Sequence, residues 1–348
     1  MVQKRWKIDL WSFQQGDKSI IKIWQNKWSA TEEVADSQWK RQKRSRLMTD
    51  TYEVVDMMDV PDTLSEDSIS YTNFGCFAVD PINKHTFCLK THTVDGEPKK
   101  NRSQLRYYES YTGVDPDKPK QKLVLQLGHG NTMALTEKYI YFVVSYEKTV
   151  RRISRKNVSM GKNITEDIIL PFKTTSLTYY SGKEFIVKID NHYNIEGDYY
   201  EVFRYVTLVT NANGKKEFKQ SDGRRDFAVR RPATQVSNIQ DIFYKKGFGL
   251  FLPLPYKTLR SDPEGGEGAN LVKNKIMKIN IDGNPSQTIN NINIYQAVDI
   301  DINRSPDIYE KYEIESVAFS NKNNLLFCGN FKKVNKNSTD KIKCYKKV

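Results

Sequence analysis

One pattern constrains the fold of this chain more than any other: a short motif that returns five times, each time opening a series of brief apolar segments. The motif is a polar residue, a variable one, an apolar residue or Gly, a variable one, and then an aromatic residue or Leu. Its copies are Asn73-Phe-Gly-Cys-Phe77, Asn131-Thr-Met-Ala-Leu135, Thr175-Ser-Leu-Thr-Tyr179, Gln240-Asp-Ile-Phe-Tyr244 and Glu315-Ser-Val-Ala-Phe319. A turn and a second apolar run follow each copy: HTFCLK from His85, YIYFVVS from Tyr139, EFIVKI from Glu184, GFGLFLPL from Gly247 and NLLFCGNF from Asn324. Third runs come in the same order, QLRYYES from Gln104, TVRRIS from Thr149, YYEVFRYVTLV from Tyr199, KIMKINI from Lys275 and KIKCYKKV from Lys341. Most units add a fourth, as in KLVLQL from Lys122, DIILPF from Asp167 and NIYQAVDI from Asn293.

These runs have strand length, are rich in Val, Ile, Tyr, Phe and Leu, and show almost no sustained 3.6-residue periodicity, so the chain reads as all-β. Units of four strands repeated around a ring make a β-propeller, and five copies predict five blades. The last unit runs out of chain after its third strand, at Val348. Its missing outer strand can come from TYEVVDMMDV at Thr51, so that the start of the chain closes the ring and removes an open edge. A β-sandwich with the same number of strands is the competing architecture.

With 348 residues, 38% hydrophobic content, 12 Pro and 18 Gly, the composition is that of a folded globular protein. The reading is one propeller domain over 51–348 preceded by a distinct extension over 1–50. All five tryptophans (Trp6, Trp11, Trp24, Trp28, Trp39) lie in that extension, followed by the basic run KRQKRSR from Lys40. Trp interleaved with Lys suits an interface with a sugar or headgroup layer, because an apolar indole body carries one N–H that needs a partner. Equally, these rings could cover a sheet edge or seal one end of the domain.

A formal net charge of +13 favours anionic partners: a wall polymer, anionic lipid or nucleic acid. Its spread along the whole chain is also what a plain solubility charge would look like. No N-terminal stretch has the layout of a secretion signal, and no apolar run has membrane-spanning length. The expected location is therefore extracellular by a non-classical route, or cytoplasmic. Cys76, Cys88, Cys328 and Cys344 lack CxxC spacing, and are expected to be free buried thiols in a reducing compartment.

The segments GHGNTMAL around His129 and Asn131, SNIQDIFYKKG around Asn238 and Gln240, KIMKI, and EIESVAF around Glu313 and Glu315 resemble the helveticin J family, the large class III bacteriocins of lactic-acid bacteria. The resemblance spans roughly 68–348 and does not extend to the Trp-rich start. It implies a propeller-like fold and a role at the envelope of other bacteria, and it implies no cofactor or catalytic residue.

In a propeller the residues leading into the first strands line one mouth of the central channel. Asn73, Asn131, Thr175, Gln240 and Glu315 would converge there, with His129, Asn238 and Glu313 two residues earlier at the rim. Amides and hydroxyls suit hydrogen bonding to sugar hydroxyls, or the retention of water or a cation. They also suit the plainer task of satisfying loop backbone groups. Asp241, next to Gln240, is expected to face away from this mouth, so no acid pair for glycoside hydrolysis is evident. There is no GxSxG elbow, no HExxH, no phosphate-cradling loop and no dinucleotide fingerprint.

For metals, the candidate is a calcium loop through Asp299, Asp301, Asn303, Asp307 and Glu310, although Arg304 stands where the sharp turn calls for Gly. The same stretch reads as an ordinary strand end. The expectation is a non-catalytic, helveticin-like binding propeller for a bacterial surface glycan or anionic wall polymer. Its alternatives are a polysaccharide-acting hydrolase or lyase using Glu315 or Glu313, and a nucleic-acid binder acting through the basic segment Lys40 to Arg46.

Overall fold

The structure is a computed structural model, which describes residues 50–347 apart from 65–67, 81, 95–96, 98–99, 111–114, 145–146, 196–197, 232–238, 240, 259–270, 290, 303–310, 321–324 and 335–336. The Trp-rich stretch 1–49 and the candidate site residues Asn238, Gln240, Asn303, Asp307 and Glu310 thus lie outside the described residues.

Short β-branched and aromatic runs cut by Gly, Asn and Lys turns form strands throughout, and the fold is all-β. The first unit is an antiparallel sheet of Asn73–Asp80, His85–His92, Arg102–Tyr108 and Gln121–Leu125, taken in that order. Its first strand is buried almost end to end because neighbours cover both faces, which is why it reads as a continuous apolar run. Its last strand alternates, with Leu123 and Leu125 inward and Lys122 and Val124 outward.

The second unit, Met133–Leu135, Tyr139–Val144, Thr149–Ser154 and Thr165–Ile169, repeats this order. Its third strand runs into a short helix, Arg155–Ser159, capped by the Ser154 hydroxyl accepting from the Asn157 N–H. The third unit is Leu177–Ser181, Glu184–Ile195 and the long Asp198–Thr210, whose outer edge is shared by two strands, Lys216–Gln220 and Phe227–Arg231.

The fourth unit is Phe243–Lys245, Gly249–Thr258, Leu271–Ile279 and Ala297–Ile302. Here the structure differs from the expected single strand NIYQAVDI, which breaks at Gln296. Ile292–Tyr295 pairs in parallel with Phe227–Val229 of the third unit, and only Ala297–Ile302 stays in the fourth. The reason is packing: Ile294 and Tyr295 bury themselves among third-unit side chains, Ala228 and Phe227 respectively.

In the fifth unit, Lys311–Ser320, Leu325–Val334 and Asn337–Lys347 are completed by Asp50–Asp59, which runs antiparallel to the last of them from Tyr52↔Lys347 to Asp59↔Lys341. The strand expected from the start of the chain therefore does pair with the last strand of the fifth unit.

First strands of successive units lie side by side, and Lys311–Ser320 returns to lie against Asn73–Asp80. A separate apolar cluster fills each junction. Leu89 and Phe142 meet between units one and two, Tyr141 and Phe185 between two and three, and Phe203 and Leu252 between three and four. Phe251 and Leu326 fill the junction of units four and five, and Phe77 and Phe327 that of five and one. Burying each such side chain contributes roughly 1.5–3 kcal/mol.

Backbone pairing also joins units two to three and four to five, through parallel contacts between outer strands, and between the third and fourth units the chain changes sheet at Gln296. The first unit stands alone as a four-stranded sheet among the described residues, and ions secure it to the fifth. Lys90, fully buried, pairs with the buried carboxylate of Asp340 and with Asp62 at 2.8 Å, and donates to the Thr72 carbonyl at 3.1 Å. Burial pushes the Asp340 carboxyl up to about 6 despite that cation. Beside it the equally buried Arg106 donates to the Pro61 carbonyl at 2.7 Å.

Candidate functional site

The first strands begin around a common hub, and its side chains come from the second position of the motif rather than the first. Thr132 Oγ1 lies 2.5 Å from Asp241 Oδ1 and 3.0 Å from the Leu177 carbonyl. Ser176 Oγ reaches the Ile239 carbonyl at 3.4 Å. Ser316 Oγ donates to Asp241 Oδ2 at 2.5 Å and accepts from the Phe77 N–H at 3.3 Å. At the remaining junction Gly75 lies so close to Gly130 that a Cβ would stand 2.9 Å from the Gly130 carbonyl oxygen. Each unit is thus tied to the next by a polar contact or close backbone approach at the start of its first strand.

Asp241 occupies the centre of this arrangement. It belongs to the fourth unit, yet bonds Thr132 of the second and Ser316 of the fifth, and it also accepts from the Ile242 N–H at 2.9 Å. Its expected facing is relative to Gln240, which lies outside the described residues; what the structure gives is a carboxylate turned toward the second and fifth units, on chain that precedes Phe243–Lys245 and is not in a regular strand. Burial raises its carboxyl to about 7, against the lowering effect of these hydrogen bonds.

Glu315 is buried as well, at the point where a bulge between Ile314 and Ser316 shifts the register with the partner strand. The strand is buried on both faces from Ile314 to Ser320, so Glu315 and Ser316 are both enclosed. Both hub carboxyls act on Cys76, whose thiol is pushed up first by burial and then by Asp241 and Glu315. All four cysteines are buried free thiols, and burial holds each in its protonated, unreactive form.

Of the other expected mouth residues, Asn73, His129, Asn131 and Thr175 are half-buried. Thr175 Oγ1 approaches the Ile239 carbonyl at 3.4 Å, beside Ser176. Asn131 precedes Thr132, and its buried Oδ1 has no hydrogen-bond partner. His129 sits between two glycines with positive φ, Gly128 at 64° and Gly130 at 65°, and its carbonyl accepts from Thr91 Oγ1 at 3.0 Å. Burial lowers its imidazole pKa, which favours the neutral ring. Glu313 falls within Lys311–Ser320, opposite Phe331.

Of the calcium candidates, Asp299 and Asp301 lie in Ala297–Ile302, paired with Met277 and with Thr51 respectively, so this part of the stretch is extended strand. No group of three or more His, Cys, Asp or Glu side chains placed to hold a metal occurs among the described residues. Nor does any helix among them have the length and apolarity to cross a membrane.

No family model and no curated protein matches the sequence. Among solved structures the chain is similar to the tail fiber of Staphylococcus aureus phage P68, at 8% identity and a TM-score of 0.47, over 84% of this chain and 53% of that one. It is also similar to Trypanosoma rangeli sialidase in complex with 2,3-difluorosialic acid, at 8% identity and a TM-score of 0.36, over 84% and 59%. AztD of Citrobacter koseri matches at 9% identity and a TM-score of 0.32, over 85% and 96%. The chain therefore spans about half the length of the tail fiber and 59% of the sialidase. The class defined by the strands themselves is all-β.

Proposed function

We propose that the five units are blades of a β-propeller whose ring the N-terminal strand completes, and that the protein is a non-catalytic binding module for a bacterial surface glycan or anionic wall polymer. Five junction cores and the cyclic order of the first strands support the ring. The resemblance to the helveticin J family belongs to this reading.

The observation that carries the non-catalytic part is the sealing of both hub carboxyls, Asp241 at 2% and Glu315 at 5% exposure. Glycoside hydrolysis needs two carboxyls flanking a sugar that enters between them. Asp241 instead spends its oxygens on Thr132, Ser316 and the Ile242 N–H. What remains accessible at the mouth is the half-buried set Asn73, His129, Asn131 and Thr175, whose amide, imidazole and hydroxyl groups are of the kind that exchange hydrogen bonds with sugar hydroxyls.

A second reading, hydrolase or lyase, has one observation in its favour: a carboxyl held at about 7 lies in the range of a general acid at neutral pH. A glycan and wall-polymer array combined with an assay for released reducing ends separates the two. Binding without release, weakened by Asn131→Ala and unchanged by Glu315→Gln, is the expected result. Release that Glu315→Gln or Asp241→Asn abolishes would replace the binding reading by the enzymatic one, and an array without any binding would remove it.

A further inference from the structure

Four units pass from their first strand to their second through a described turn that carries a lysine. Lys84, Lys138 and Lys183 stand directly before the second strand of their units, and Lys246 opens the turn of the fourth. The sequence puts Lys322 in the corresponding stretch of the fifth, 321–324, outside the described residues. All four described lysines are exposed. Since the hub gathers the starts of the first strands, their ends and these turns gather on the opposite face of the ring.

The acids near these turns are already engaged. Asp80 is held by Arg155, Glu184 by Arg224 at 2.9 Å, and Asp282 by the Tyr244 hydroxyl at 2.6 Å and the Gly247 N–H at 2.9 Å. None of the four lysines makes an ion pair among the described residues, and the exposed acid in these turns is Glu137. On this face four exposed lysines thus stand against one exposed turn carboxylate, Glu137, which leaves an excess of positive charge.

Two further features share that face. Ile82, in the first of these turns, is 86% exposed. The chain also joins the ring there: Tyr52 pairs with Lys347, and the adjacent Lys346 pairs with Leu325, the first residue of the fifth unit's second strand. The five tryptophans and KRQKRSR accordingly lie in sequence just before a strand that starts on the lysine side.

Lysines are hydrated point charges suited to a diffuse anionic layer rather than to bidentate recognition. A single polymer strand meets one or two turns of a ring at a time, whereas a plane of headgroups meets all of them, and an exposed apolar side chain in the same plane can enter its acyl boundary. We propose that this lysine-bearing face docks on the headgroup layer of an anionic phospholipid bilayer. The proposal rests on the ring arrangement given above, but not on what the opposite mouth binds.

The test uses the full chain and cosedimentation with vesicles of phosphatidylglycerol mixed with phosphatidylcholine, against phosphatidylcholine alone, at low and high salt. Partitioning onto the anionic vesicles alone, weakened by salt, is expected. A basic residue near such a surface is worth about fivefold in partitioning, so the combined change Lys84→Gln, Lys138→Gln, Lys183→Gln and Lys246→Gln should cost roughly several hundredfold. Ile82→Ser should weaken binding further, and the matching set of Lys→Arg changes should preserve it. Unchanged partitioning of the Gln variant would overturn the proposal, as would equal binding to uncharged vesicles, or binding to inorganic polyphosphate with none to vesicles. The same variant on the glycan array reports on the mouth separately, since array binding survives there if only the lysine face has been disabled.

Discussion

Asp241→Asn is expected to reverse part of the pH dependence of stability. In the folded chain the Asp241 carboxyl sits at about 7 against an ordinary 3.8, so folding favours its protonated form. The sign follows from linkage: the contribution is favourable below the unfolded value, and is lost as pH rises through the interval up to the folded one. At 1.36 kcal/mol for each pKa unit, the loss between acid and neutral pH is on the order of 4 kcal/mol. Asn is close in shape and carries no charge. Its Oδ1 can accept from Thr132 and the Ile242 N–H, and the Ser316 hydroxyl can rotate to accept from its Nδ2. The Val317 N–H, which also bonds the carboxylate, then loses an acceptor, at about 1–3 kcal/mol. The variant should therefore be less stable than the parent near pH 4 and more stable near pH 7.5, with curves that cross. Urea midpoints measured across a pH series provide the assay. Asp340, raised to about 6, titrates in both proteins, so the difference curve isolates Asp241. Parallel curves would show that no buried titrating carboxyl occupies the hub.

Two more perturbations probe the seam between the fifth and first units. Lys90→Ala leaves Asp340 buried without its cation and should cost about 3–5 kcal/mol in chemical denaturation, an account refuted by a loss below roughly 1 kcal/mol. Gly329→Ala places a methyl 2.5 Å from the Phe74 ring and 3.0 Å from Phe77, and should cost about 1–3 kcal/mol, read as a lowered Tm and partly recovered by Phe74→Leu.

The hairpins were legible in sequence because each unit's first two strands are apolar runs broken by turn residues, and the pairing of Asp50–Asp59 with Asn337–Lys347 followed from counting strands in the last unit. Ile292–Tyr295 was not legible, since nothing in NIYQAVDI marks the change of sheet at Gln296. The hub hid in a register question. Its signal was in plain view as Thr132, Ser176, Asp241 and Ser316, a small polar residue at the second motif position in four of the five copies. That position reads as variable when chemical identity is compared and as uniform when hydrogen-bonding capacity is. The bulge at Glu315 added to the difficulty, because local backbone irregularity leaves no trace in an alternation pattern. Phe74, at the same position of the first copy, departs from the rule because it fills the space left by Gly329 instead of facing a polar partner.

Joining residues 50–59 to residues 337–347 has a kinetic corollary. A contact between segments so far apart along the chain gives high contact order, and such topologies fold slowly. During synthesis Asp50–Asp59 must wait, aggregation-prone, first for Ala297–Ile302 and then for the segment from Asn337 to leave the ribosome. Units made earlier can form their own hairpins meanwhile, whereas the pairing of 50–59 with 337–347 waits for the later of the two segments.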